Sequence, residues 1–84
     1  MATHVVHNFT VIIERDEDGM YVVSVPALPG CHTEGRTLEE AKAMAVDAIQ
    51  GYCESLLAHG ETIPQESWAE AFIGNIPVSL RVPA

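Results

Sequence analysis

The strongest constraint on this chain lies between residues 25 and 41, VPALPGCHTEGRTLEEA, where two prolines, a Pro-Gly pair and a helix start occur within seventeen residues. Pro26 and Pro29 each hold φ near −65° and lack a backbone donor, so neither a central strand nor a helix interior can run through them. Gly30 after Pro29 suits a tight turn, because proline presets one central position and glycine accepts positive φ at the next. The chain must therefore reverse and start a new segment at Cys31. Thr37 then offers a hydroxyl to the first free helix amides, and Glu40 stands where its carboxylate can return to the Thr37 amide, the spacing of a capping box. A helix is expected to start at Leu38.

What precedes this stretch alternates with a period of two. Over residues 8–15, Phe9, Val11 and Ile13 share one face and Thr10, Ile12 and Glu14 the other, and over 20–25 Tyr21, Val23 and Val25 oppose Met20, Val22 and Ser24. Asp16-Glu17-Asp18-Gly19 supplies the turn between them. Residues 31–36 fit a short, polar third strand at a sheet edge. From Leu38 to about His59, the residues Leu38, Ala41, Ala45, Ala48, Ile49, Tyr52 and Leu56 form one stripe at helical spacing, with His59-Gly60 as the stop. Residues 61–66 are irregular around Ile63-Pro64, and a second capping-box spacing from Ser67 to Glu70 suggests a short helix that carries Trp68 and Phe72 on one face. Residues 76–82 read as a closing strand, with Pro77 at its start and Pro83 after it. The fold class is α+β, a three-stranded antiparallel meander with one long helix on one face. A right-handed crossover sets the fourth strand beside the first, in order 3-2-1-4.

The acidic hairpin, the Pro-x-Leu-Pro-Gly-Cys bend at residues 26–31 and Thr37-Leu38-Glu39-Glu40-Ala41 at the helix start resemble the HicB-type antitoxins of toxin–antitoxin systems and their small single-domain relatives. The resemblance covers roughly residues 9–64 and, more weakly, the last strand. It implies a degenerate ribonuclease H-like fold without a nuclease site, which binds and blocks a small basic mRNA-cleaving toxin. Full-length members carry a separate C-terminal DNA-binding segment. After Gly60 only Arg81 is basic, so neither a DNA-binding domain nor direct contact with nucleic acid is expected in residues 1–84. The chain is read as one domain, with a core over 8–60 and a C-terminal extension over 61–84.

Composition narrows the function classes. Twelve acidic residues against four basic ones give a formal charge of −8, a field that repels phosphate backbones and either favours a basic partner or serves solubility alone. A hydrophobic content of 48% with mean hydropathy +0.13 fits apolar surface that a partner covers. In 84 residues a single sheet and helix offset their ordering entropy by a narrow margin, so self-association as a dimer or tetramer is expected. Ile12, Met20 and Val22 make the second sheet face partly apolar and are the candidate interface there. Trp68 and Phe72, aromatic residues in a polar setting, are the second candidate interface, the alternative being that Trp68 caps the bottom of the chain's own core.

The same residues argue against catalysis. Glu14, Asp16, Glu17 and Asp18 crowd one hairpin, where consecutive side chains splay and do not converge on a metal. Cys31 and His32 are neighbours on a strand and point to opposite faces, so they cannot act as nucleophile and base. Cys53 falls beside the apolar helix stripe and is read as buried. The histidines show no ligand spacing, the glycines no phosphate-binding pattern, and no apolar run reaches the length of a membrane span. No enzyme activity, cofactor or metal is expected, and the cytoplasm is the expected location. The alternative to an antitoxin is a homo-oligomeric scaffold or ligand-binding domain without a toxin.

Overall fold

The structure is a computed structural model, described for residues 3–66 and 74–83. Three strands, β1 (Ile12–Arg15), β2 (Tyr21–Ser24) and β3 (His32–Gly35), are followed by one helix, α1 (Leu38–Ala58). The sheet is antiparallel in the order β1-β2-β3, and α1 lies against β3 and, to a lesser extent, β2. The α+β class and the meander are as expected.

Local chemistry accounts for each junction. In the first hairpin Asp16 Oδ1 accepts from the amides of Asp18 and Met20, both at 2.9 Å, and Gly19 takes φ 84°, as this turn requires. Two successive turns build the β2–β3 connection: Leu28 N donates to Val25 O at 3.0 Å, and Cys31 N to Leu28 O at 3.0 Å. Pro29 and Gly30 are the central pair of the second, with Gly30 at φ 81°. Between the two turns Leu28 is driven fully inside. The Tyr52 hydroxyl donates to Pro29 O at 2.9 Å, tying this loop to α1.

Helix α1 starts and stops where expected. Thr37, in extended backbone, caps it by accepting from Glu40 N at 3.0 Å. No return bond from the Thr37 amide to the Glu40 carboxylate is formed among the described residues, and Glu40 is exposed. At the other end Gly60 (φ 72°) lets Gly60 N reach Leu57 O at 3.0 Å and Glu61 N reach Leu56 O at 2.9 Å, a Schellman closure.

The buried core is Val23, Val25, Leu28, Cys31, Ala41, Ala45 and Cys53, with Phe9, Val11, Ile13, Tyr21, Ala48, Ile49, Tyr52 and Ile63 packed against it. The helix-facing set of each strand is thus as the alternation predicts. Gly35 sets how near the helix comes: a Cβ there would stand 2.4 Å from Ala41 N and 2.8 Å from Ala41 Cα. This approach leaves room only for small residues at the start of α1. Leu38, expected on the buried stripe, is instead 41% exposed, because the inward position next to Gly35 belongs to Ala41.

One expected boundary needs correction. The first strand begins at Ile12, not at residue 8, with Ile12 paired to Ser24. Thr10 N and Oγ1 instead donate to the Glu66 carboxylate, holding the chain that leaves α1 against the start of β1. The fourth strand expected over residues 76–82 is not among the three strands of the described residues. The short helix expected to carry Trp68 and Phe72 lies outside the described residues.

Gly35→Ala should destabilise the fold by about 1–3 kcal/mol, since backbone must move to admit the methyl. Gly51→Ala, in the exposed middle of α1 with open space around it, should stabilise by about 0.5–1 kcal/mol. Urea denaturation of the two variants beside the parent checks both signs.

Burial raises the Cys31 thiol above its ordinary range, with Cys53 nearby adding to the effect, and burial likewise raises Cys53. Both groups are neutral in folded and unfolded chains at pH 7. As pH rises past the unfolded thiol value of about 8.5 the unfolded chain ionises first, so this contribution to stability falls with pH until the folded thiols also ionise. Unfolding midpoints at pH 7 and pH 9.5 should show this loss, and a Cys31→Ala, Cys53→Ala double variant should show a smaller one.

Candidate interaction surface

The face of the sheet turned away from α1 is built by the residues that alternate with the core set. Register sets its rows: Ile12 pairs with Ser24 and Ser24 with His32, while Glu14 pairs with Val22 and Val22 with Glu34. No helix or strand among the described residues covers this face. Of the interface residues expected there, Ile12 and Met20 are half-buried and Val22 is 37% exposed. The structure brings Ile12 and Val22 onto one surface, and Met20 joins it from the turn, where its carbonyl accepts from Asp16 N at 2.8 Å.

Register adds what alternation could not show, namely that Val22 is flanked across the sheet by two exposed carboxylates, Glu14 on one side and Glu34 on the other. The hairpin tip adds exposed Asp16, Glu17 and Asp18 beyond the end of β1. An apolar centre with an acidic rim suits a basic partner. Two copies of the chain placed face to face here would oppose glutamate to glutamate, an arrangement that costs rather than gains energy. The expectation that this face serves self-association therefore has an electrostatic obstacle that only the register exposes.

The candidate chemical groups do not assemble. Asp16 spends one carboxylate oxygen on two turn amides, and among the described residues no three His, Cys, Asp or Glu groups are disposed to hold a metal ion. Cys31 is buried while His32 is exposed, on opposite sides of β3. Trp68 and Phe72 lie outside the described residues, so that candidate interface has no geometry here. No helix among the described residues is long and apolar enough to cross a membrane.

A second feature went unnoticed in the sequence. Between residues 5–11 and the flank of α1 runs an open, largely apolar groove of about 520 Å³, whose walls include Phe9, Val11, Val46, Ile49 and Ile63. Its origin is the seating of α1 over β3 and β2, which leaves the β1 side of the helix uncovered. Val46 forms part of its wall and is 58% exposed.

Comparison with known proteins accords with this architecture. The UPF0150 protein Ta0767 of Thermoplasma acidophilum is 55% identical over 62 residues, which are 74% of this chain and 90% of that protein. Antitoxin HicB 1 of Photorhabdus laumondii is 41% identical over 56 residues, 67% of this chain but only 36% of that longer protein. The crystal structure of the N-terminal domain of Burkholderia pseudomallei antitoxin HicB superposes with a TM-score of 0.63 at 33% identity, covering 69% of this chain and 68% of the domain. The family model described as the HicB-like antitoxin of bacterial toxin–antitoxin systems matches residues 9–77, a span that takes in the meander, α1 and the approach to the C-terminal segment, and the chain belongs to that family.

Proposed function

We propose that this protein is the antitoxin half of a toxin–antitoxin pair and acts by binding, not by catalysis: it covers the basic active surface of a small mRNA-cleaving toxin in the cytoplasm. The observation that carries the reading is the Glu14–Val22–Glu34 row on an uncovered sheet face, in a chain of net charge −8. Opposite potentials speed encounter and penalise wrong partners, while the apolar centre supplies the burial that holds the complex. Membership of the HicB-like family supports the same role. The domain is read as a degenerate ribonuclease H-like fold in which a strand completes the sheet beside β1.

Native-lysate capture with the tagged chain should retain a small basic protein, and adding the chain to that protein should suppress its cleavage of mRNA. A Glu14→Lys, Glu34→Lys double variant should keep the parent circular-dichroism spectrum and melting temperature yet bind the toxin about a hundredfold more weakly, the consequence of like charges set against each other. Unchanged affinity of the folded double variant would remove this face from the interface. Capture of no basic protein, with a stable homo-oligomer in its place, would favour a scaffold without a toxin.

A further inference from the structure

The row Glu14–Val22–Glu34 takes one residue from each strand and so runs across the sheet, which limits the shape of what can cover it. Neighbouring strands stand about 4.8 Å apart, so the backbones at the two ends of the row are separated by roughly 9.6 Å. Both glutamates are exposed, and among the described residues neither has a cationic partner; the ion pair found there joins Lys42 to Glu39. Ile12, paired with Ser24, stands to one side of the row, and Met20, two residues before Val22, to the other. The face thus offers two carboxylates at a fixed span, with Val22 between them and a further apolar side chain on either side of the row.

An extended segment fits this face badly. Lying on the face and not at an edge, it meets side chains and no free backbone groups, so its own amides and carbonyls go unpaired in the contact. Its same-side residues recur about 6.7 Å or 13.4 Å apart, one value short of the span and the other beyond it. A helix pairs its backbone internally, and residues seven places apart stand about 10.5 Å from each other on one face. Residues three and four places after the first fall between them, one to each side, over Val22 with Ile12 and Met20. Arginine or lysine at the two ends then meets a glutamate at each end of the row. The chain does not supply such a helix to a second copy of itself: α1 carries Glu39, Glu40, Asp47 and Glu54 against one cation, Lys42, and would set acid against acid.

We infer that the basic partner docks through a helix laid across the three strands along this row. Basic residues seven places apart on that helix sit on Glu14 and Glu34, and apolar residues three and four places after the first cover Val22 and its neighbours. This rests on the antitoxin reading of the face and adds the partner's element, its direction across the strands and its residue spacing.

The test titrates three synthetic peptides into the isotopically labelled full chain and follows its amide chemical shifts. The first is a stabilised helix with arginines seven places apart and leucines three and four places after the first arginine. The second moves its second arginine two places on, to the opposite face, at the same composition and charge, and the third is the first unfolded by two prolines on its back face. The first should shift the amides around Glu14, Val22 and Glu34 and bind about tenfold more tightly than either of the others. Glu14→Lys and Glu34→Lys, whose dispersed spectra show that they remain folded, should each weaken it about tenfold, and the double variant should prefer the first peptide with both arginines changed to glutamate. Equal affinity of the first two peptides, tighter binding of the third, or shifts confined to another surface would each overturn the inference. A captured toxin that needs Glu14 and Glu34, beside peptides of equal affinity, would remove the helix and leave the antitoxin reading intact. Capture of no toxin, with the peptides ranked as expected, would remove that reading and keep the row as a site for a basic helix.

Discussion

The contact on which the rest of this structure depends is the approach of Ala41 to Gly35, where a Cβ on the glycine would lie 2.4 Å from backbone. Only a residue without a side chain lets the start of α1 sit so close to the end of β3. Ala41 and Ala45 bury the near half of the helix, while Tyr52 secures its far half through the Pro29 carbonyl. With α1 seated there, β1 has β2 beside it but little helix above it, and the groove between residues 5–11 and the helix flank is the direct result.

Seating the helix on one face also leaves the other face free to be read as a surface. Its character comes from register and not from composition: the hairpin closed by Asp16 and Gly19 aligns Glu14 with Val22, and the double turn around Leu28 aligns Val22 with Glu34. A shift of one residue in either hairpin would turn core side chains outward, so the two turns that hold the fold also hold the charge pattern. The domain therefore has two unlike surfaces, an acidic face around a valine and an apolar groove between residues 5–11 and the flank of α1. Their chemistries suit different partners.

Much of this was legible before any coordinates. Helix-facing positions followed from a period of two in the strands, α1 was bounded by Thr37 and Gly60, and the prolines with Gly30 located the reversal, because each signal is local and rests on dihedral preference or hydrogen-bonding groups a few residues apart. Leu28 looked like a loop residue and proved fully buried; the signal was there in a large apolar residue enclosed by two turns. Gly35 carries no local signal, because its role is the close approach of Ala41, which meets it only in the folded chain. Leu38 was misplaced for the same reason, since helical spacing names a stripe but not where along the helix the sheet ends.

The sequence by itself determined the elements, their order, the inward set of each strand and the acidic character of the protein, since these depend on local preference and on sums over residues. Only the tertiary structure decided which carboxylates flank Val22, how close α1 comes to β3, and that Leu28 is fully buried between its two turns. These depend on cross-strand register and on the competition between packing surfaces. Neither can be read along a single line of residues, because the groups that compete meet only once the chain has folded.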